Sequence, residues 1–428
     1  MCSSIKQGFI LNAILQLLED TLKDAEEGVD TGLLMTDCSA AFDTVPHGIL
    51  LKKLRLYGVS EQALKWFKSY LQGRCQYVEV GSKMSHIERV LLGCFQGSIG
   101  APLLYILYMN DIVMLQDSHC KISLYADDNN YAIKLSKAIM ESKIRVESKM
   151  GQIQTYMDSN RLKLNPEKTK LMILTTKNKN MHKDLVVEFN GVEIEQVHFA
   201  KFLGIIISGN LKWNEYILQS ENSLLKYCNK RLAALKLLSR ECSQEQRKLL
   251  AHGLIISKIT YCICTWASCP GYLKKRLQDI MNETVRIVHG SRIKSLKQQF
   301  RDLDWLTLEG WMNYMDILTG KTIGDFSKPQ DLAGSMGLEF GPRAGIRHWT
   351  EENIRVTRAM LAGNVRLGQE NIGQSTARSV FFSARFARCY NISPPEIRCL
   401  HLKVGTFEDK QKFKLGMKHF FQNRQVIF

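Results

Sequence analysis

The stretch Cys120–Leu135, CKISLYADDNNYAIKL, predicts a β-hairpin that determines the fold of the chain around it. Its two halves, Cys120–Ala126 and Asn130–Leu135, are rich in apolar residues and lack helical spacing, which favours two strands. The residues between them, Asp127-Asp128-Asn129, are of types that tolerate tight-turn geometry. The sequence therefore predicts two adjacent carboxylates at the tip of a hairpin.

A third carboxylate follows another predicted strand. Gly32–Met35 is a short apolar run that leads to Asp37, which indicates a buried strand ending at a carboxylate. Taken alone, such an aspartate is more often a cap or turn residue, and an Asp pair in a turn is usually just solvated. Carboxylates at the ends of adjacent central strands would repel one another unless cations neutralised them, and Mg²⁺ prefers such oxygens. The three aspartates together therefore favour a metal-assisted phosphoryl-transfer site.

Composition excludes several classes of protein. The chain has 428 residues, of which 45% are hydrophobic and 23% charged, with only 8 prolines. Global disorder, collagen-like sequence and disulfide mini-proteins are thereby excluded. The 12 cysteines are scattered and the N-terminus lacks the layout of a secretory signal, so we expect reduced thiols in an intracellular protein of the nucleus or cytoplasm. No run of 18 apolar residues occurs, so we expect no membrane span.

The charge balance indicates a polyanionic partner. The formal net charge is +16, and the segment between Lys226 and Arg301 holds 16 basic and 4 acidic residues. Such a concentration favours nucleic acid or an acidic membrane surface as partner. The alternative is a solvated basic face on a helical domain.

Periodicity predicts the elements around the hairpin. The predicted helices are Phe9–Glu26, Pro46–Leu56, Glu61–Leu71 with Ser60 as cap, Pro102–Val113 and Lys137–Asn160. The predicted strands are Gln76–Val80, Ile87–Leu92, Lys170–Thr176, Leu185–Phe189, Val192–Val197 and Phe199–Ile207, with a type I′ turn at Asn190-Gly191. Beyond Trp213 the pattern is helical.

Five segments occur in a characteristic order: Leu33–His47 (LLMTDCSAAFDTVPH), Gly93–Tyr105 (GCFQGSIGAPLLY), Tyr125–Asp128 (YADD), Lys163–Thr169 (KLNPEKT) and Phe202–Gly204 (FLG). In that order they resemble the four palm motifs and the primer-grip turn of reverse transcriptases from non-LTR (LINE-type) retrotransposons. An Asp-Asp pair alone is a weak signal, whereas five ordered motifs are a strong one. The chain departs from the family at Phe95, where proline is usual, and at Gly100-Ala101, where leucine-glycine is usual.

The resemblance implies roles for the catalytic residues. Asp37, Asp127 and Asp128 would hold two Mg²⁺ ions, with Mn²⁺ as an alternative and with the Cys38 backbone carbonyl as a further ligand. Lys168 would neutralise or protonate the departing pyrophosphate, and the alternative is a plain surface lysine.

The resemblance also implies how nucleotide and primer are bound. Phe42 would be the steric gate that excludes a 2′-hydroxyl and so selects deoxynucleotides. The segment Gln96, Gly97 and Ser98 would cradle the templating base and the incoming nucleotide. Leu203 and Gly204 would seat the primer end, and the alternative is ordinary β-turn packing.

The resemblance further implies that the basic segment between Lys226 and Arg301 acts as a thumb that contacts the RNA template and the DNA primer. The substrates would be dNTPs. The phosphate-binding residues expected there are Lys226, Lys230, Arg231, Lys236, Arg240, Lys274, Lys275 and Arg276.

We therefore expect an α+β fold, with a right-hand polymerase palm whose antiparallel sheet packs on helices, then a mostly helical thumb and C-terminal region. The predicted domains are a fingers remnant (1–30), the palm with its primer grip (31–212), the basic helical thumb (213–327) and a retroelement tail (328–428). Within the tail, Ser379–Asn391 and Pro395–Arg398 resemble the family's C-terminal segment.

Two functions remain open at this point. The first is an N-terminally truncated RNA-directed DNA polymerase. The truncation is expected because Gln7-Gly8-Phe9 is all that is recognisable of the family's fingers region. The second is a catalytically inactive retroelement-derived protein that binds nucleic acid through its basic helices. A group II intron maturase shares the palm motifs but fits the C-terminal segment poorly.

Overall fold

The computed structural model describes residues 2–38, 41–95, 97–125, 128–177, 181–291 and 293–326. Its chain divides into two compact units. The described residues within 24–198 form the sheet unit, and the described residues before 24 together with those after 198 form the helical unit. The expected tail, residues 328–428, lies outside the described residues.

The described helices follow the predicted order, whereas the predicted strands Gln76–Val80 and Val192–Val197 are each divided into two short strands. The helices are α1 (Cys2–Glu26), α2 (His47–Leu56), α3 (Glu61–Leu71), α4 (Gly100–Met109), α5 (Ile139–Ser159), α6 (Leu224–Leu238), α7 (Gln244–Ala251), α8 (Ser257–Thr260), α9 (Ile263–Trp266), α10 (Gly271–His289), α11 (Leu296–Asp302) and α12 (Leu308–Phe326). The strands are β1 (Thr31–Thr36), β2 (Cys75–Gln76), β3 (Glu79–Val80), β4 (Lys83–Met84), β5 (Glu88–Arg89), β6 (Cys120–Tyr125), β7 (Asp128–Lys134), β8 (Lys170–Leu174), β9 (Glu188–Phe189), β10 (Val192–Glu193), β11 (Glu195–Gln196), β12 (Phe199–Phe202) and β13 (Ile205–Ser208).

A five-stranded sheet forms the centre of the sheet unit, with the strand order β11-β8-β1-β7-β6. All neighbours in it are antiparallel except β11, which pairs with β8 in parallel. The central strand β1 carries Leu33 and Leu34, both fully buried. Because successive side chains of a strand point to opposite faces, both faces of the sheet are covered at β1. Each of these leucines contributes roughly 1.5–3 kcal/mol to folding.

The predicted hairpin is confirmed as the antiparallel pair of β6 and β7, in which Tyr125 lies opposite Asp128. The predicted position of its turn was wrong, because Asp128 and Asn129 are the first residues of β7. Asn129 and Asn130 are buried, and the Asn129 carbonyl accepts a hydrogen bond of 3.3 Å from Thr36 Oγ1 in β1. Pairing with the central strand thus outweighs the turn preference of these residue types.

Three helices of the sheet unit are joined by a buried lysine. Lys53 in α2 donates hydrogen bonds to the Tyr108 carbonyl in α4 (2.6 Å) and to the Asp111 carboxylate just after it (2.7 Å). Tyr156 in α5 donates to the same carboxylate at 2.6 Å. Burial lowers the pKa of Lys53, and the hydrogen bond and charge of Asp111 act in the opposite direction. Nothing in the local sequence signals this cluster, because a lysine is normally a surface residue unless a distant partner pairs with it.

The helical unit confirms the helical pattern predicted beyond Trp213. The single strand predicted for Phe199–Ile207 was wrong, because this stretch is a hairpin of β12 and β13. Its turn residues Leu203 and Gly204 both have positive φ, which breaks a continuous strand. Among the described residues, no helix combines the length and apolar character needed to cross a membrane.

The loop after β5 is fastened to the chain that follows β1. The Gly93 amide donates to the Val45 carbonyl and the Cys94 amide donates to the Phe42 carbonyl, each at 2.8 Å. Gly93 has a φ of +93°, and a Cβ there would lie 2.8 Å from the Asp43 carbonyl oxygen. Two backbones therefore approach so closely at this point that only glycine fits.

We expect Gly93→Ala to lower the free energy of unfolding by at least about 2 kcal/mol, since it adds a backbone clash to an unfavourable φ. Gly58→Ala is the matched control, because Gly58 has a φ of +84° but no atom within 4 Å of its added Cβ. That control should lose only about 1 kcal/mol. Urea unfolding of the two variants measures the difference, and equal losses would contradict the proposed close approach.

Candidate active site

Two of the three predicted catalytic carboxylates lie at the same end of neighbouring strands. Asp37 follows the last residue of β1, and Asp128 is the first residue of β7. The register of this antiparallel pair sets Thr36 opposite Asn129, one residue before Asp37 and one after Asp128. Residues directly opposite in such a pair have Cβ atoms about 4.5–5.5 Å apart. The sheet thus brings together two acidic residues that are distant in sequence.

Lys168 lies beside one of these carboxylates, that of Asp37, because the loop before it is fastened to the end of β1. The Asn165 amide donates to the Asp37 carbonyl at 3.0 Å, and Cys38 forms an isolated bridge with Leu164. The Asn165 side chain accepts from the Glu167 amide and so begins the 3₁₀ turn Pro166–Lys168. This turn carries the Lys168 ammonium to 3.2 Å from the Asp37 carboxylate. A cation therefore lies beside the site, as the predicted role of Lys168 requires.

Cys38 is anchored in the core beside the carboxylates. It is buried, and the Asn129 side-chain amide donates to its sulfur at 3.6 Å. Nearby Cys94 is also buried, and this burial raises the pKa of its thiol to about 11. This burial disfavours the thiolate, which is the nucleophilic form of cysteine.

The predicted steric gate, Phe42, packs against a buried aromatic ring. Phe42 lies against Tyr105 of α4, with ring centroids 4.4 Å apart and planes tilted by 32°. Tyr105 is fully buried, whereas Phe42 is partly exposed. The packing therefore holds the Phe42 ring at the surface while its support lies in the core.

The predicted nucleotide loop is positioned by α3 and α4. The Ser98 hydroxyl oxygen accepts hydrogen bonds from Tyr70 Oη (2.6 Å) and from the Ala101 amide at the start of α4 (3.1 Å). Gly97 has a φ of +83° and open space where a Cβ would lie. Gln96, like Asp127 of the carboxylate set, lies outside the described residues.

The predicted primer-grip turn is supported by a tyrosine that sequence reasoning missed. Leu203 and Gly204 have φ angles of 46° and 89° and join β12 to β13. Tyr261 Oη donates to the Leu203 carbonyl at 2.6 Å. A Cβ on Gly204 would come within 3.0 Å of the same hydroxyl. Nothing in the sequence signals this contact, because Tyr261 lies far along the chain and in no motif.

The predicted phosphate-binding residues lie on two packed helices, α6 and α10, and on the turn after α6. Seven of the eight are exposed and one, Lys274, is partly buried. The exposed set is Lys226, Lys230, Arg231, Lys236, Arg240, Lys275 and Arg276. Acidic residues accompany them, since Asp279 and Glu283 line the groove that contains Lys226 and Arg276.

The donor set fits a hard divalent cation. Asp37 and Asp128 present carboxylate oxygens, and Mg²⁺ is bound by oxygen ligands. Among the described residues, which exclude Asp127, no group of three His, Cys, Asp or Glu side chains could hold a metal ion. The two described carboxylates therefore make only part of the predicted ligand set.

The profile of the family described as reverse transcriptase (RNA-dependent DNA polymerase) matches residues 7–207. Residues 7–207 are a reverse transcriptase domain. The match contains the carboxylates, Lys168 and the predicted primer-grip turn, and the mostly antiparallel sheet within it fits a polymerase palm.

Curated relatives confirm the resemblance to non-LTR retrotransposon reverse transcriptases. A 115 kDa protein in type-1 retrotransposable element R1DM of Drosophila melanogaster is 28% identical over 182 residues, 42% of this chain and 17% of that protein. The RNA-directed DNA polymerase from mobile element jockey of the same species is 26% identical over 214 residues, 48% of this chain and 22% of that protein. The chain thus spans about a fifth of the length of these relatives.

Among solved structures, the telomerase from Candida albicans in complex with a fragment of telomeric RNA aligns with the chain at a TM-score of 0.36 and 14% identity. The alignment covers 70% of this chain and 54% of that one. This similarity is too low to support a fold assignment.

We expect Tyr261→Phe to loosen the predicted primer-grip turn. The loss of one partly buried hydrogen bond should lower the free energy of unfolding by about 1 kcal/mol and speed amide hydrogen exchange in β12 and β13. Tyr272→Phe is the control, because Tyr272 on α10 is 50% exposed. Equal exchange rates in Tyr261→Phe and the parent chain would show that the hydroxyl does not support the turn.

Proposed function

We propose that the chain is an RNA-directed DNA polymerase, which joins deoxynucleotides to a primer 3′-hydroxyl on an RNA template. The observation that carries this proposal is the placement of Asp37 and Asp128 at adjacent strand ends with the Lys168 ammonium 3.2 Å from Asp37. Phosphoryl transfer needs little covalent chemistry from a protein, and depends on positioning and charge. An arrangement of two carboxylates and one ammonium on rigid strands suits that need.

Asp37, Asp127 and Asp128 would hold two Mg²⁺ ions, with Mn²⁺ as an alternative, together with the Cys38 carbonyl. When bound, the ions supply Lewis-acid charge at the attacking and leaving oxygens. Lys168 contributes from the protein side. In the reaction the primer 3′-hydroxyl loses its proton to water as its oxygen bonds to the α-phosphorus, and the bond to pyrophosphate breaks. The Lys168 ammonium donates a proton to the departing pyrophosphate and is reprotonated from water.

The selection of deoxynucleotides over ribonucleotides would depend on the Phe42 ring and the residues around it. The ring is held on Tyr105 and cannot withdraw into the filled core, so a 2′-hydroxyl would collide with it. The loop of Gln96, Gly97 and Ser98 would receive the templating base and the incoming nucleotide, with Gly97 allowing close backbone approach.

The domain assignment follows from the same proposal. Residues 31–212 would be the palm with its primer grip at Leu203 and Gly204, and residues 213–327 the thumb, which follows the template-primer backbone through the exposed cations of α6 and α10. Residues 1–30 would belong to the fingers and residues 328–428 to a retroelement tail. Contacts between these cations and phosphates make the affinity for nucleic acid fall as the salt concentration rises.

We expect Asp37→Asn and Asp128→Asn to reduce Mg²⁺-dependent primer extension on an RNA template by about a hundredfold or more. Removal of one preorganised electrostatic contact to a transition state has an effect of that size. Asp158→Asn is the control, because it makes the same charge change at an exposed carboxylate at the end of α5. Extension is measured as the rate of dNTP incorporation.

Two outcomes of that assay would reject the proposal. Extension that is unchanged in both variants would reject the site assignment. Tight, salt-sensitive binding of RNA-DNA hybrids without incorporation by the parent chain, at high dNTP concentration, would identify the inactive nucleic-acid-binding protein instead.

We expect Phe42→Ala to raise ribonucleotide incorporation relative to deoxynucleotide incorporation by about tenfold or more, equivalent to about 1.4 kcal/mol. The cause is the loss of the clash with the 2′-hydroxyl. Phe42→Tyr keeps the ring and should retain the selectivity. Ratios of kcat/KM for dNTP and rNTP measure the effect, and an unchanged ratio in Phe42→Ala would rule out the gate.

A further inference from the structure

An aromatic column lies on one face of α3 and continues into the loop before Ser98. Trp66 and Tyr70, one helical turn apart, stack with ring centroids 5.6 Å apart and planes within 6°. Tyr70 meets Phe95 edge-on at 5.4 Å. Trp66 is 60% exposed, although a ring of this size normally finds cover. Because Trp66 lies on a helix and stacks on Tyr70, its exposed ring surface is held in a fixed position.

Arg74 extends this column with a positive charge. Its guanidinium carbon lies 5.8 Å from the Tyr70 ring centroid and 5.6 Å from that of Phe95. Its Nε donates to the Tyr70 carbonyl at 3.2 Å, which fixes the plane of the guanidinium. The terminal amino groups remain available for a phosphate, since no acidic side chain among the described residues forms an ion pair with Arg74.

Arg74 also lines a groove of about 810 Å³ that runs between the start of α2 and the strand β5. Three further exposed cations line it: Lys52, Arg89 and Arg161. None of the described residues along this groove is acidic. Four like charges around one groove repel one another, so the arrangement is stabilised when a polyanion enters.

The combination favours a single-stranded nucleic acid over other polyanions. Proteins bind single strands with a basic groove for the backbone and aromatic side chains on which bases stack. A duplex offers phosphates and the base edges in its grooves, but its base faces are already stacked and cannot stack on Trp66. An acidic peptide has no flat faces that would use Trp66. The α3 surface, defined as Trp66, Tyr70, Arg74 and the groove cations, therefore matches an unpaired strand.

The α3 surface is connected to the loop that would receive the templating base. Tyr70 donates to Ser98, and Phe95 packs against both Tyr70 and Arg74. We propose that the α3 surface binds the unpaired RNA template strand ahead of the position at which it is copied. This inference rests on the proposed polymerase function. It assigns template binding to residues outside the predicted catalytic, primer-grip and thumb residues.

The test measures binding of the full chain to a labelled single-stranded RNA and to a blunt RNA-DNA duplex, without metal so that no reaction occurs. We expect Trp66→Ala to weaken single-strand binding about tenfold and Trp66→Phe to restore most of it, because a stacking platform remains. The double variant R74Q and R89Q should weaken it further and lower the salt slope by about 1.4, at about 0.7 per lost contact. The affinity of these variants for the duplex should stay within about twofold of that of the parent chain.

Arg55→Gln is the matched control for lost charge, because Arg55 is an exposed arginine on α2 already paired with Glu61. Thermal melting establishes that each variant is folded. Unchanged single-strand affinity in the folded Trp66→Ala and arginine variants would overturn the proposal. Equal weakening for duplex and single strand would also overturn it, since the surface would then be a general phosphate-binding face.

A second assay separates this proposal from the proposed function. Primer extension is compared on templates with a one-nucleotide and a twenty-nucleotide unpaired 5′ overhang. The variants of the α3 surface should raise KM for the long overhang alone and leave kcat unchanged. If the parent chain extends neither template, the polymerase proposal fails while the binding result still decides whether the α3 surface holds single strands.

Discussion

Antiparallel pairing of β1 with β7 is the constraint on which the arrangement of the site depends. Side chains of a strand alternate between two faces, so a slip of one residue would expose the apolar set of β1 and separate Asp37 from Asp128. The Thr36 hydroxyl, bonded to the Asn129 carbonyl, and the Asn129 amide, bonded to Cys38, hold the register at the end where the carboxylates lie. Burial of β1 on both faces therefore holds the like charges of Asp37 and Asp128 close together in spite of their mutual repulsion.

Chain segments distant in sequence complete this end of the sheet. The Asn165 amide donates a hydrogen bond to the Asp37 carbonyl and brings Lys168 to the carboxylate, while Gly93 brings the predicted nucleotide loop against the chain after β1. Each tether uses backbone hydrogen bonds between short, rigid segments. Groups held in this way need little reorganisation during a reaction, which is the condition for electrostatic catalysis.

Local patterns in the sequence predicted much of the fold. Ser60 caps α3 by accepting from the Ala63 amide, and Asn190 and Gly191 have the positive φ angles of the predicted turn. Both features depend on residues within a few positions of each other, so sequence contains the whole cause. The turn in Phe199–Ile207 was not predicted as part of the secondary structure, because Leu203 rarely adopts positive φ and does so here with support from Tyr261.

The sequence by itself determined the secondary-structure elements, the family and the residue types available for chemistry, because motif order and periodicity are properties of the linear chain. Only the tertiary structure decided which of those residues meet. It placed Lys168 against Asp37, buried Lys53 between three helices, and set Arg74 both on an aromatic column and in a basic groove. Such contacts arise when long loops close around a packed core, and no local pattern records which partners that closure brings together.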